Sequence, residues 1–331
     1  MKRPIDLKRE SAFQLTIAIP PGAELLRSFS VEKKLYAISS KSIHTIRLAD
    51  SIDPGRENEK IPHVQQFLLN YGADDEFVGK ILLTCLELMH GSIVDEKAKS
   101  EETLKIILDI TIILAECNDF YQNYVEVLKK SEENIDRTSK GGALELPHYE
   151  RLSERVKTFA SKIADAAQRL FDLYTYFYGR PEGMWSGVKE EVEARYGKDD
   201  PFSGYISDAE RFLRFIRNMR NCIQHEKNNQ RLIITDFEMR PDGNIYRPTI
   251  EIVHPDTPEP QNDLEVFVEQ VLQSLVLVCE HMIVFLAEKH AMPFGALEFH
   301  VVARPEDMVR HHVRYSFQPF NRDGSPFLPP K

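Results

Sequence analysis

The segment SDAERFLRFIRNMRNCIQHE, residues 207–226, carries the clearest structural pattern in the chain. Its apolar residues recur at intervals of three and four positions, which places their side chains on one face of an α-helix. These residues are Phe212, Phe215, Ile216, Met219 and Ile223. Four arginines recur every third position and turn slowly around the same helix as a curved basic surface, here called the arginine ribbon: Arg211, Arg214, Arg217 and Arg220. The segment therefore predicts an amphipathic helix with a cationic face.

The charge of the whole chain makes this ribbon unusual. The 331 residues include 42 Lys and Arg against 52 Asp and Glu, which gives a formal net charge of −10. A chain with this balance is not expected to attract a nucleic acid through its overall field, so such binding would need a local basic surface. Salt bridges to the many carboxylates of the chain would explain the arginines equally well. The spacing alone leaves both interpretations open.

Cysteine usage and hydropathy predict a cytoplasmic protein without a membrane segment. The four cysteines, none of them in a CxxC pair, are Cys85, Cys117, Cys222 and Cys279. Such spacing is typical of isolated buried thiols in a reducing compartment. The charged N-terminal residues are not followed by the apolar run of a secretory signal. The longest apolar stretch, 271–287, contains Gln273, Glu280 and His281 and thus predicts a buried helix instead of a membrane span.

The pattern along the chain predicts a mainly α fold. In a mixed N-terminal region, residues 1–135, we expect strands near 14–19 and 34–48, helical stripes at 64–68 and 77–89, and a long helix at 101–131. Residues 133–147 are the best linker candidate.

The second half is more regular. In a helical domain, residues 148–295, we expect helices at 148–179, 185–196, 207–226 and 262–290. A β-hairpin insert at 231–253 surrounds the turn Pro241-Asp242-Gly243-Asn244. Pro255, Pro258 and Pro260 are expected to exclude regular structure before the last helix. In a C-terminal extension, residues 296–331, we expect one or two strands, at 297–303 and 313–317, and then proline-rich coil.

The ribbon helix ends in the string Arg220-Asn221-Cys222-Ile223-Gln224-His225. This R-N-x3-H string, near a helix C-terminus with long helices on both sides, resembles the HEPN (higher eukaryotes and prokaryotes nucleotide-binding) superfamily and its R-x4–6-H motif. The resemblance covers about residues 148–290 and implies a HEPN-like helical bundle. Two features of this chain depart from the family pattern. The segment 231–261 separates the motif helix from the last helix, and residues 1–135 match no family pattern.

The residue types of this string suit RNA cleavage. RNA supplies its own nucleophile, the 2′-hydroxyl, so the protein needs only a proton-transfer group and a fixed cation. His225 titrates near neutrality in its ordinary state, and the guanidinium of Arg220 is permanently charged. On a straight helix these two residues lie about 140° apart, whereas Asn221 and His225 share a face. A single subunit would therefore separate the two groups.

The resemblance resolves this separation, because HEPN proteins form dimers that bring two motifs together. It implies a homodimeric, metal-independent endoribonuclease without a cofactor, in which Arg220 and His225 are catalytic and Asn221 supports them. Arg211, Arg214 and Arg217 would bind RNA. It also implies a role in toxin–antitoxin or antiviral defence, with an antitoxin or regulatory protein as partner.

The alternative is a non-catalytic dimeric module that binds RNA, a nucleotide or a protein. In that case Arg220 would pair with Glu226 or Glu210, and His225 would interact with the carbonyl end of the helix dipole.

Two further groups of residues have simpler interpretations. Phe171, Tyr174 and Tyr178 recur at helical spacing and predict core or dimer interface in preference to base stacking. The histidines show no metal-ligand spacing. His311 and His312, close to Arg310 and Arg314, could contact phosphate, although a solvated tail is the favoured interpretation.

Overall fold

The computed structural model describes residues 3–11, 17–89, 91–133 and 144–327. The chain divides into two compact units, the first formed by Met1–Thr111 with Met282–Lys331 and the second by Ile112–His281. The sequence places its boundaries at 135, 148 and 295 instead. The observed divisions fall inside two long helices, where no turn residue marks them. Residues 134–143 of the predicted linker, and residues 14–16 of the first predicted strand, lie outside the described residues.

The first unit contains a four-stranded antiparallel sheet in the order β1-β2-β3-β4. Its strands are β1 (Leu25–Val31), β2 (Lys34–Ser39), β3 (Ile43–Arg47) and β4 (Val64–Leu69), and two short helices accompany it, α1 (Pro4–Ser11) and α2 (Ala49–Ile52). Glu32 and Lys33 form the two-residue loop between β1 and β2 with positive φ angles of 50° and 62°. Paired left-handed residues are typical of hairpin loops whose twist matches that of the strands. Ile38 and Ile43 are fully buried.

The predicted helical stripe of Val64, Phe67 and Leu68 is wrong, because these residues form β4. This strand pairs with β3 from Arg47 opposite Val64 to Ile43 opposite Leu69. Three apolar residues are too few to distinguish a helical from an extended segment, and backbone pairing with an existing sheet edge decides the outcome.

The remaining elements of the first unit follow the predicted pattern more closely. A π-helix (Val78–Leu83) and α3 (Thr84–Leu88) contain the predicted stripe at 77–89, and all six of its apolar residues are buried: Phe77, Ile81, Leu82, Cys85, Leu86 and Met89. A hairpin of β10 (Leu297–Ala303) and β11 (Tyr315–Asn321), with a short 3-10 helix (Glu306–Met308) in its loop, confirms two strands in the C-terminal extension.

The described residues of the second unit form five helices, two of them in part: α4 (Glu101–Glu133), α5 (Leu152–Tyr178), α6 (Trp185–Tyr196), α7 (Pro201–Gln224) and α8 (Leu264–Lys289). All five confirm predicted helices. The ribbon helix α7 begins six residues earlier than predicted, because Asp200 caps it: the Asp200 carboxylate accepts a hydrogen bond of 2.9 Å from the backbone N–H of Phe202. Pro201 at the first helical position completes this start.

The predicted hairpin insert is confirmed and extended. Strand β5 (Arg231–Thr235) pairs with β8 (Thr249–Val253), and β6 (Glu238–Met239) pairs with β7 (Ile245–Tyr246). A further strand, β9 (Glu259–Asp263), adds to β8, so the expectation that prolines exclude regular structure here is wrong. β9 lies at the sheet edge with an irregular register, where Pro260 is tolerated because its missing N–H interrupts no central ladder.

The structure corrects the predicted fold class. The protein is 48% helical and 21% strand, with four small sheets in the described parts of the chain, which is a mixed α/β fold. The prediction of a mainly α chain with a HEPN-like helical bundle in its second half is therefore wrong. The prediction failed because hydrophobic periodicity does not identify short strands without strict alternation, such as β4 and β9.

Within the described residues, one helix, Leu264–Lys289, is long and apolar enough to cross a membrane. Its most apolar window is 61% buried inside the protein. Core helices that are apolar all round have the same length and composition.

Candidate functional site

The ribbon helix α7 turns its apolar stripe inward and its arginines outward. Ile216 and Met219 are fully buried, whereas Arg211, Arg214 and Arg217 are exposed and Arg220 is half-buried. A three-residue period drifts away from a helical period of 3.6, so successive guanidinium groups meet different neighbours. The ribbon is for this reason not a uniform basic surface.

The first arginine of the ribbon lies in acidic surroundings. Arg211 lines a groove of about 560 Å³ in the second unit together with Asp208, Asp256 and Glu259. The apolar part of the lining includes the rings of Phe212, Phe215 and Phe267, of which the last two meet edge to face at 6.3 Å. Three carboxylates beside one guanidinium repel a phosphate, so this groove does not favour the RNA contact that the sequence predicts for Arg211.

The second arginine forms a local ion pair. The Nε of Arg214 lies 3.6 Å from the Oε1 of Glu210, one helical turn earlier, and both side chains remain in contact with solvent. An exposed i,i+4 pair of this length is weak and screened by salt. Arg214 is thus available to a competing anion.

The last two arginines line a second groove, of about 140 Å³, between α5, α6 and α7. Here called the Arg217–Arg220 groove, it is lined by Ala164, Ala167 and Gln168 of α5, by Met184 and Trp185 at the start of α6, and by Leu213, Ile216, Arg217, Arg220, Asn221 and Gln224 of α7. Two small alanines leave the space that larger residues would fill. Among the described residues that line it, the charged groups are two guanidiniums and the other polar side chains are three amides. This chemistry favours an anion.

Arg220 is held loosely at the edge of this groove. Its Nη2 lies 3.7 Å from the Oδ1 of Asp165 on α5. With the Gln224 amide turned so that its oxygen faces Arg220, that oxygen accepts hydrogen bonds from Nε at 3.0 Å and from Nη2 at 3.3 Å. The carboxylate partner is therefore Asp165, and the alternative pairing with Glu226 or Glu210 is not what the structure shows.

His225 ends the helix and lies outside the groove lining. Its backbone N–H donates to the carbonyl of Asn221 at 2.9 Å, and its φ of −133° takes the chain out of the helix. The Nε2 of Gln230 donates to the carbonyls of both Asn221 and His225 at 3.0 Å, which satisfies two groups at the helix end. The His225 side chain is exposed. The structure therefore places Arg217, Arg220 and Asn221 in one groove, whereas His225 adjoins Asn221 through its backbone but does not line that groove within one subunit.

The sequence pattern does not predict several residues of this site. Gln168 and Trp185 reach the groove from α5 and α6, and Gln230 reaches the helix end from the turn that follows α7. No short-range pattern connects these residues with the R-N-x3-H string, because their proximity depends on helix packing and on the path of that turn.

The predicted aromatic group at the end of α5 is part of the core. Phe171 and Tyr174 are fully buried, and Tyr178 bonds through its hydroxyl to that of Tyr196 at 3.0 Å. Burial raises the pKa of the Tyr178 hydroxyl well above its ordinary value. The prediction of core is therefore confirmed for Phe171 and Tyr174, on which no base can stack, whereas Tyr178 is half-buried.

The four cysteines are free and buried, as predicted. Burial raises the pKa of the Cys85 thiol to about 12 and raises the pKa values of Cys117 and Cys279 further. A thiol with such a pKa is a poor nucleophile and a poor metal ligand at neutral pH. The described residues contain no group of three or more His, Cys, Asp or Glu that could hold a metal ion.

No family model, no curated protein and no solved structure matches this chain. The resemblance of residues 220–225 to the HEPN superfamily accordingly remains a prediction that the motif alone carries.

Proposed function

We propose that this protein binds RNA in the Arg217–Arg220 groove and cleaves it without a metal, as a homodimeric endoribonuclease of HEPN type. The observation that carries this proposal is the groove itself, in which two guanidinium groups and three amides lie together in a chain of net charge −10. Guanidinium groups bind phosphate oxygens in a planar, bidentate manner, and amides add neutral hydrogen bonds.

The residues of the string supply the chemistry of a transesterification. The 2′-hydroxyl of RNA attacks the adjacent phosphorus, the bond from phosphorus to the 5′-oxygen breaks, and the products are a 2′,3′-cyclic phosphate and a 5′-hydroxyl. His225 takes the proton from the attacking hydroxyl or gives a proton to the leaving oxygen. Arg220 stabilises the negative charge that grows on the phosphoryl oxygens, and Asn221 holds one of these oxygens.

A second subunit completes the site. Because His225 lies outside the groove of its own subunit, we propose that the groove receives His225 of the partner subunit. Each dimer then contains two equivalent sites, as expected for a two-fold symmetric pair. The motif resemblance supports this arrangement and an antitoxin or regulatory protein as further partner in a defence system. The unpaired cysteines support a cytoplasmic location.

The position of His225 outside the groove also favours a second candidate, a module that binds RNA, a nucleotide or a protein without cleaving it. In this case the contacts of Arg220 with Asp165 and Gln224 are permanent structural contacts. Cleavage, not binding, distinguishes the two candidates.

The test is incubation of the purified protein with total RNA in the presence of EDTA. The endoribonuclease proposal expects fragments with 2′,3′-cyclic phosphate ends, because no step requires a divalent metal. RNA that remains intact but is retained by the protein supports the binding module. Cleavage that EDTA abolishes contradicts the proposed mechanism.

A further inference from the structure

We propose that the first unit contains a separate binding site for phosphate or for the phosphate group of a small phosphomonoester. The site is a cavity of about 170 Å³ lined by four basic residues, Arg27, Arg304, Arg310 and His311. Glu87 and the apolar residues Leu26, Leu83 and Val313 complete the lining. This inference uses no residue of the ribbon helix and does not rest on the function proposed above.

The charges in this cavity do not balance. Arg27 donates from Nη1 to the Oε2 of Glu87 at 3.1 Å, and Arg304 donates to the other oxygen of the same carboxylate. Two guanidinium groups thus share one carboxylate. Each has five N–H donors, so each keeps donors for another acceptor.

Arg310 brings a third positive charge, and within the described part of the chain no carboxylate pairs with it. Its Nη1 donates to the backbone carbonyls of Asp307 at 2.8 Å and Val309 at 3.0 Å, which fixes the guanidinium but does not neutralise it. Among the described residues that line the cavity, three guanidinium groups and one carboxylate leave an excess of two positive charges. The oxyanion that matches this excess at neutral pH is phosphate or a phosphomonoester, which carries about two negative charges and suits several forked donors at once.

The loop that carries Arg310 is held in a strained, fixed conformation. His311 and His312 form a two-residue turn with φ angles of 48° and 61°, between the paired residues Arg310 and Val313. Asn and Gly normally occupy such positions, and other residues adopt them only where the surroundings impose the conformation. His311 is half-buried and His312 is exposed, so the predicted solvation holds for His312 and only in part for His311.

Two contacts impose this conformation. The Nδ1 of His311 bonds with the Oδ1 of Asp74, and the Nε2 of His312 donates to the Asp74 carbonyl, both at 3.0 Å. The turn also packs directly on the π-helix at Gly79, where a methyl group would lie 2.7 Å from the Cβ of His312 and overlap the His311 carbonyl oxygen. Backbone strain and single π-helical turns both concentrate at functional sites. A rigid turn places Arg310 beside the cavity in advance of a ligand.

Isothermal titration calorimetry at low ionic strength tests the site, with inorganic phosphate and adenosine 5′-monophosphate as probes. Arg310→Ala removes a contact to the ligand and should weaken binding about ten-fold, the effect of losing one charge-assisted hydrogen bond. Arg322→Ala is the matched control, because Arg322 is an exposed arginine of the same unit that bonds only to the Gly295 carbonyl among the described residues. It should bind as the unchanged protein does.

Glu87→Gln should change the affinity for phosphate in the opposite direction from Arg310→Ala. Removing the carboxylate that competes for Arg27 and Arg304 should tighten phosphate binding, a gain that a damaged fold would not produce.

Gly79→Ala should displace the turn and weaken binding while circular dichroism remains unchanged. A higher affinity for phosphate identifies the free ion as ligand, and a higher affinity for the nucleotide identifies a phosphomonoester. Absence of saturable binding, or an equal loss in Arg310→Ala and Arg322→Ala, would overturn the proposal.

Discussion

Arg211 and Arg217 lie six residues apart on one helix, yet their surroundings differ in charge. Arg211 shares its groove with three carboxylates, whereas Arg217 shares its groove with Arg220 and three amides. The sequence predicts the helix and the exposure of both arginines but treats them as equivalent. Their difference comes from Asp256 and Glu259 and from Gln168, which distant segments bring to the two sides of α7.

The salt dependence of RNA binding should separate these two arginines. Arg217→Ala should reduce the slope of log affinity against log salt concentration by about one, because one phosphate contact is lost. Arg211→Ala should leave the slope unchanged, because Arg211 makes no phosphate contact in its acidic groove. Fluorescence anisotropy with a labelled RNA at several salt concentrations measures both slopes. Equal slopes for the two variants would show that Arg211 and Arg217 contribute equally to RNA binding despite their different grooves.

His225 offers the sharpest test of chemistry at a single residue. Its side chain is exposed at a helix end, so His225→Ala should lower the free energy of unfolding by only about 1 kcal/mol. Removal of a general acid–base group should reduce the cleavage rate by about 10²–10⁴-fold.

His148→Ala is the control for that variant, because His148 is an exposed histidine of the same unit whose Nδ1 lies 2.8 Å from the Oδ2 of Asp236. It should cleave RNA at the unchanged rate. Loss of the folded state in His225→Ala, seen by circular dichroism, would contradict the assigned role and indicate a structural histidine.

At the scale of secondary-structure elements, the long helices follow from the sequence and the short strands do not. The bounds of α6 match the predicted 185–196 because Gly197 ends a clear segment, and α8 is only a few residues shorter than predicted. β4 and β9 form through pairing with β3 and β8, partners that their own five or six residues do not reveal.

The candidate site is likewise only partly predictable from the sequence. The sequence identifies Arg220, Asn221 and His225 on one helix, but helix packing determines that Gln168 and Trp185 face two of them.

The start of α7 depends on a single cap. Asp200→Ala removes the carboxylate that accepts the Phe202 N–H and should destabilise the fold by about 1 kcal/mol. Asp199→Ala, at the exposed neighbouring position, makes no such cap and should change the free energy of unfolding by less than half as much. Urea unfolding followed by circular dichroism compares the two. An equal effect of both variants would show that the cap does not contribute to stability.

At the scale of the whole molecule, the buried thiols report on each compact unit separately. Cys85 belongs to the first unit, and Cys117, Cys222 and Cys279 belong to the second. Burial and raised pKa values should keep all four unreactive toward iodoacetamide at pH 8 in the native state. Mass spectrometry at increasing urea should show labelling only as the corresponding unit unfolds. Rapid native labelling of any of these cysteines would contradict its buried position.

The homodimer is the largest feature that the proposed function requires, and mixing two inactive variants tests it directly. If one subunit provides Arg220 and the other His225, Arg220→Ala and His225→Ala are each inactive alone, since every site lacks one group. When equal amounts dissociate and reassociate at random, about half of the dimers contain one copy of each variant. Each mixed dimer has one site with both substitutions and one intact site, so the mixture should recover about a quarter of the unchanged activity. A site formed within one subunit recovers nothing on mixing, and light scattering that shows a monomer at micromolar concentration would equally contradict the shared site.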